Sequence, residues 1–230
     1  MLLPTLREEV LEANLELARR GLAIFTFGNA SGISRERGVL MIKPSGVPYD
    51  KMRPEDLVAV DLDGHIAEGK LRPSSDLATH LVLYRAFAGI GGVVHTHSRH
   101  ATAWAQAGRE IPCLGTTHAD YFYGAVPVTR SLTQAEIESA YEENTGHAIV
   151  ERFRGMDPMH IPAALVTGHG PFCWGRTAPE AAHNAVILEE VAQMAAETLL
   201  INAAASALPR AHQDKHFLRK HGPAAYYGQK

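Results

Sequence analysis

Apolar residues recur with helical spacing near the start of the chain, where Leu6, Val10, Ala13 and Leu17 share one face. Thr5-Leu6-Arg7-Glu8 has the form of a capping box, Arg19 and Arg20 suit the negative helix end, and Gly21 stops it. The period then changes. Residues 22–27 predict a strand running into a small polar turn, Gly28-Asn29-Ala30-Ser31-Gly32, whose backbone N–H groups can face an anion. Residues 39–42 predict a second strand, and 57–62 with 65–67 a β-hairpin around Asp63-Gly64. Pro73-Ser74-Ser75-Asp76 opens a helix carrying Leu77, Leu81 and Tyr84 on one face. Further strands are expected at 125–129 and 163–167, and helices at 101–107, 134–141 and 148–153. Thr177-Ala178-Pro179-Glu180 caps a long helix reaching about residue 206, Leu208-Pro209 breaks it, and a short helix with His216 follows.

Between these elements, Gly91-Gly92-Val93-Val94-His95-Thr96-His97 carries the most chemistry. On a strand, His95 and His97 project from the same face and can share one divalent ion. Two polar residues at a strand end, satisfied by water, fit the spacing equally well. His169 lies between Gly168 and Gly170, where a packing role has little to support it, so it is the candidate third imidazole. Lys43-Pro44-Ser45-Gly46 sets a cation, a hydroxyl and a glycine in one turn, a combination able to hold phosphate. Ser74 and Ser75 open a helix whose free N–H groups favour an anion, and Asp76 either caps it or reaches the histidines. Residues 111–124 hold Thr116, Thr117, His118, Asp120, Tyr121 and Tyr123, a density of proton-handling groups that favours function over packing.

Composition narrows the classes. The chain has 230 residues, enough for one domain spanning 1–230 with a substantial core. A net charge of −3 leaves no footprint for nucleic acid. Cys113 and Cys173 make no metal or redox spacing, and no apolar run is long enough to cross a bilayer. With no secretory signal at the N-terminus, a cytoplasmic protein without nucleic-acid or membrane partners is expected.

In order and spacing, Gly28-Asn29, Lys43-Pro-Ser-Gly46, Pro73-Ser-Ser-Asp76, the run 95–100, the run 116–124, His169-Gly-Pro and Tyr226-Tyr227-Gly228 resemble the class II aldolase/epimerase family of zinc sugar-phosphate enzymes. The resemblance implies a three-layer α/β/α fold with a central mixed, largely antiparallel sheet, and a homotetramer with active sites between subunits. It implies zinc on His95, His97 and His169 with Asp76 near the metal, manganese or cobalt being substitutes. It implies Gly28, Asn29, Ser45, Gly46, Ser74 and Ser75 around a sugar phosphate; Lys43 is added from its charge. The family's aldolases have glutamate where Asp76 stands, so the shorter side chain points to epimerisation at C4 of a pentulose phosphate, as in arabinose catabolism. L-Ribulose 5-phosphate and D-xylulose 5-phosphate would interconvert by C3–C4 cleavage and re-formation, with Asp120 and Tyr227 moving the proton. Tyr227 would enter from an adjacent subunit, with Tyr226 its neighbour and alternate, while His216 and Glu142 have no assigned role. A zinc aldolase of the same fold and a non-catalytic zinc or sugar-phosphate binding protein are the rival readings.

Overall fold

A computed structural model describes residues 2–228. In chain order it contains α1 (Pro4–Arg19), β1 (Asn29–Ser34), β2 (Val39–Ile42), β3 (Val58–Asp61), β4 (Ile66–Glu68), α2 (Leu77–Ala86), β5 (Gly92–His95), α3 (Arg99–Gln106), α4 (Thr116–Ala119), α5 (Gln134–Glu138), α6 (Tyr141–Arg152), β6 (Ala163–Leu165), β7 (Pro171–Gly175), α7 (Ala178–Ile201) and α8 (Arg210–His221). The seven strands form one sheet in the order β4-β3-β2-β1-β5-β7-β6. Every pairing between named strands is antiparallel, and parallel character is confined to an isolated bridge between Val128 and Leu165.

Two adjacent residues of β1 define the layers. A Cβ on Gly32 would lie 2.8 Å from Val10 of α1 and 3.3 Å from Ala178 of α7, so this face holds those helices at backbone distance. Ser31 points the other way, as strand alternation requires, and hydrogen-bonds His80 and Tyr84 of α2. Helix α2 packs in turn on α6. Helices thus cover both faces of the sheet, as a three-layer α/β fold requires.

The local readings differ from the structure in several places. Residues 22–27 form no strand: Phe25 has a left-handed backbone (φ 54°), and Ile24, Phe25 and Phe27 are exposed. The strand is instead the small polar run read as a turn, where Gly32 lets α1 and α7 approach closer than any side chain there would allow. Pro127 supplies no N–H, and residues 125–129 make only single bridges. Strand β7, unread in the sequence, pairs with β5 and closes a hairpin with β6 through Val166 N–H to Gly170 O at 2.9 Å. Helix α1 starts at Pro4, placing Thr5 inside it rather than at its cap. Ser139 leaves helical geometry (φ −101°, ψ −112°), which splits the expected 134–141 helix into α5 and the start of α6. Helix α7 ends at Ile201, short of residue 206.

Candidate active and metal site

The site grows from one row across the sheet, where Asn29 of β1 pairs with His95 of β5, which pairs with Phe172 of β7. His95 stacks on Phe172 with ring centroids 4.3 Å apart. His97, two residues on, brings its Nε2 to 3.0 Å from His95 Nε2. The β6–β7 turn returns His169 beside them, and each of the three imidazoles offers a nitrogen within 4.8 Å of the others. Two glycines permit this crowding. A Cβ on Gly28 (φ 77°) would meet His95 O at 2.8 Å, and one on Gly170 would meet Thr96 O at the same distance.

A cavity of about 350 Å³ opens in front of the histidines. Every residue assigned from the sequence to metal or substrate lines it: Gly28, Asn29, Lys43, Ser45, Gly46, Ser74, Ser75, Asp76, His95, His97 and His169. Thr26, Phe27, Pro44, Tyr141 and Glu142 complete the wall. The two loops proposed for phosphate are zipped together by backbone, Ser74 N–H to Lys43 O and Ser45 N–H to Arg72 O, both 2.9 Å. Lys43 is 2 % exposed and donates to Pro44 O at 3.2 Å, with its ammonium 4.9 Å from the Tyr49 ring. Among the described residues no carboxylate pairs with it, and burial pulls its pKa down to about 8. Such a cation is matched to an anionic ligand.

Asp76 stands slightly apart from the imidazole group, which closes without it. Asn29 Nδ2 donates to its Oδ2 at 2.6 Å and to Ser74 Oγ at 3.0 Å, while Asn29 Oδ1 stays buried with no partner. Burial opposes ionisation of Asp76, but His95, His80 and the Asn29 amide outweigh it and hold the carboxyl below its ordinary range.

The residues present fit a divalent cation. His95 Nδ1 lies 3.0 Å from Pro171 O, which can only accept, so its Nε2 lone pair is left to face the cluster, and His169 Nδ1 lies 3.4 Å from the Tyr141 hydroxyl. Lone pairs this close repel unless a cation or proton lies between them. Burial pushes His95 down to about 3, so at neutral pH a proton does not fill that role. Three imidazoles with an open side and a nearby carboxylate make a nitrogen-rich site of the kind that binds zinc or a similar ion.

Asp120 and Tyr227 do not line this cavity. Asp120 follows α4 and is gripped by α8, with Arg219 donating to both carboxylate oxygens at 2.8–3.1 Å, His216 Nδ1 at 3.0 Å and Lys220 at 3.5 Å. Burial raises its pKa, but Arg219 and His216 outweigh that and keep it ionised. Arg219 and Lys220 also lie 4.7 and 4.6 Å from the exposed Tyr227 ring. The two residues assigned to proton transfer thus share one patch, and that patch is outside the cavity of their own chain. The sequence placed Tyr141 only at the end of the helix expected at 134–141, with no role in the site, whereas it opens α6 in the cavity wall.

The family model for the class II aldolase and adducin N-terminal domain matches residues 8–196. The chain is 56% identical over 225 residues to the L-ribulose-5-phosphate 4-epimerase UlaF of Salmonella paratyphi B, covering 98% of this chain and 99% of that protein. Among solved structures, an L-fuculose-1-phosphate aldolase from Thermus thermophilus is 31% identical with TM-score 0.70, covering 88% of this chain and 98% of that one. Another L-fuculose 1-phosphate aldolase shares the fold with TM-score 0.78 at 23% identity, over 92% of this chain and 94% of the other. The chain belongs to the class II aldolase family.

Proposed function

We propose that this chain is a metal-dependent L-ribulose-5-phosphate 4-epimerase, interconverting that sugar with D-xylulose 5-phosphate. The observation that carries the reading is the meeting, in one cavity, of three convergent imidazoles with a buried lysine lacking a carboxylate partner. The relatives of closely similar length and 55–56% identity are named for this reaction. Tethering of Asp76 to Asn29 supports epimerase over aldolase, because a carboxylate held at 2.6 Å by an amide is poorly placed to shuttle a proton.

In the proposed mechanism Lys43, Ser45, Ser74 and Ser75 hold the phosphate, with loop N–H groups supplementing the charge. A divalent ion on His95, His97 and His169, zinc or its substitutes manganese and cobalt, supplies positive charge where oxygen becomes negative. The C4 hydroxyl proton leaves to one base, the C3–C4 bonding pair passes to the ketone fragment, and C4 becomes an aldehyde carbon. The aldehyde fragment rotates, the bond re-forms on its other face, and an acid on the opposite side returns a proton to the C4 oxygen. Asp120 and Tyr227 serve as this pair, contributed by a neighbouring copy in a homotetramer with sites between subunits. Their shared location outside the chain's own cavity supports that arrangement, as do the exposed Phe27 in the cavity wall and the exposed Phe25 against it. No described helix is long and apolar enough to cross a membrane.

The test is a coupled assay of the purified protein with L-ribulose 5-phosphate, with and without chelator. Formation of D-xylulose 5-phosphate that stops with chelator and returns with zinc supports the reading. Metal-dependent release of dihydroxyacetone without epimerisation would make the protein an aldolase. Chelator that unfolds the protein would favour a structural metal.

A further inference from the structure

The outer nitrogens of His95 and His169 are met by chemically different partners. His95 Nδ1 lies 3.0 Å from the Pro171 carbonyl, a group that only accepts. His169 Nδ1 lies 3.4 Å from the Tyr141 hydroxyl, which accepts a hydrogen bond and still has its own hydrogen to give. The two histidines also differ in support. His95 is 1 % exposed and stacked on Phe172, so packing alone fixes its ring. His169 sits on a turn between Gly168 (φ 73°) and Gly170, and the Tyr141 contact is the single hydrogen bond to its ring among the described residues. Tyr141 is the first residue of α6, faces the cavity beside Glu142, and its ring lies 6.0 Å from that of His169 at 39°. That separation makes the hydroxyl, rather than ring stacking, the point of contact.

We infer that Tyr141 is a positioning residue that accepts the His169 Nδ1 hydrogen, so holding Nε2 toward His95 and His97, and donates its own hydrogen to a substrate oxygen in the cavity. The inference rests on reading that cavity as a metal and sugar-phosphate site. It explains how an imidazole on a glycine-flanked turn is aimed as well as one on a buried strand. It also places a substrate contact on α6, apart from the phosphate loops, where contact with the sugar's hydroxyl end is the natural role.

Tyr141→Phe removes one oxygen and keeps the ring. Apo protein titrated with Co²⁺ and followed by visible absorption should bind about tenfold more weakly in this variant than in the wild type. At saturating metal, KM for L-ribulose 5-phosphate should rise about fivefold, the size of one neutral hydrogen bond. The zinc-loaded wild type should show a downfield imidazole N–H proton resonance that the variant loses. Equal cobalt affinity with that resonance retained would overturn the inference, and so would an apo variant melting well below the wild type, since the hydroxyl would then be supporting the fold. An unchanged KM would remove the substrate contact. A wild type that binds no cobalt would instead bring down the reading of the site itself, a result separable from any effect of the substitution.

Discussion

Lys43→Met should make the protein more stable and a worse ligand-binding protein at once. Methionine fills nearly the same volume without a charge, so packing around position 43 is retained. In the wild type the lysine is protonated in both folded and unfolded chains at pH 7, but burial has lowered its folded pKa from 10.5 to about 8. At 1.36 kcal/mol per pH unit that difference is a cost of about 3 kcal/mol, reduced to about 2 kcal/mol by water in the open cavity. The sign follows from proton binding. Below pH 8 the cost is present in full; between 8 and 10.5 the unfolded chain holds more protons, so wild-type stability rises with pH and the cost disappears. The variant should therefore melt about 4–8 °C higher at pH 7 in scanning calorimetry, with the advantage gone above pH 10.5. Substrate loses a charge-assisted bond of about 1.5–3 kcal/mol, so KM for the sugar phosphate should rise about 10- to 150-fold. Higher stability with unchanged KM would move the phosphate elsewhere. Lower stability at pH 7 would refute the assignment of Lys43 as a buried cation without a partner.

Other perturbations test separate parts of the site. A chelator should silence turnover while leaving the circular dichroism spectrum and cooperative melting intact, because three imidazoles hold an open site rather than staple the fold. Gly28→Ala should lose about 1–2 kcal/mol from its left-handed backbone alone, and displacement of His95 by the added methyl should weaken metal binding further; both are read by denaturant titration and cobalt uptake. Tyr227→Phe should lower turnover by two orders of magnitude or more with metal and phosphate binding kept, and full turnover would remove this tyrosine from the chemistry. Acidification should destabilise the protein between pH 6.5 and about 4, where burial keeps His80 and His118 neutral while the unfolded chain gains protons, at a cost of about 3 kcal/mol for each. His118→Asn should flatten that slope in pH-dependent melting, and an unchanged slope would exclude His118 as a contributor.

Much of the site was legible because its residues announce themselves by type. His95 ends β5 and His97 follows two residues on, at the spacing that strand alternation suggested, and Lys43, Ser74 and Ser75 sit where turns and helix starts concentrate polar chemistry. The fold was less legible where packing outweighs local preference. Asn29-Ala30-Ser31-Gly32 has the composition of a turn, yet it is the centre of the sheet, since Gly32 admits two helices and Ser31 hydrogen-bonds a buried histidine and tyrosine. Strand β7 was hidden by Pro171 at its start and by the glycines of the preceding turn. Tyr141 carries no sequence signal because its role depends on α6 being folded back against the β6–β7 turn. Asp120 and Tyr227 were named from the family pattern, and their meeting through Arg219 and Lys220 has no counterpart in local spacing.

The row Asn29–His95–Phe172 divides the labour of change within this architecture. A one-residue slip of β1 against β5 would turn Asn29 to the opposite face, so heritable variation along this row is confined to what keeps the register. The opening of α6 and the loops at 43–46 and 73–76 are under no such restriction, since they meet the cavity from outside the sheet. New sugar selectivity can therefore arise by altering the opening of α6, or the two backbone-paired loops together, while the imidazole cluster passes unchanged from one descendant to the next.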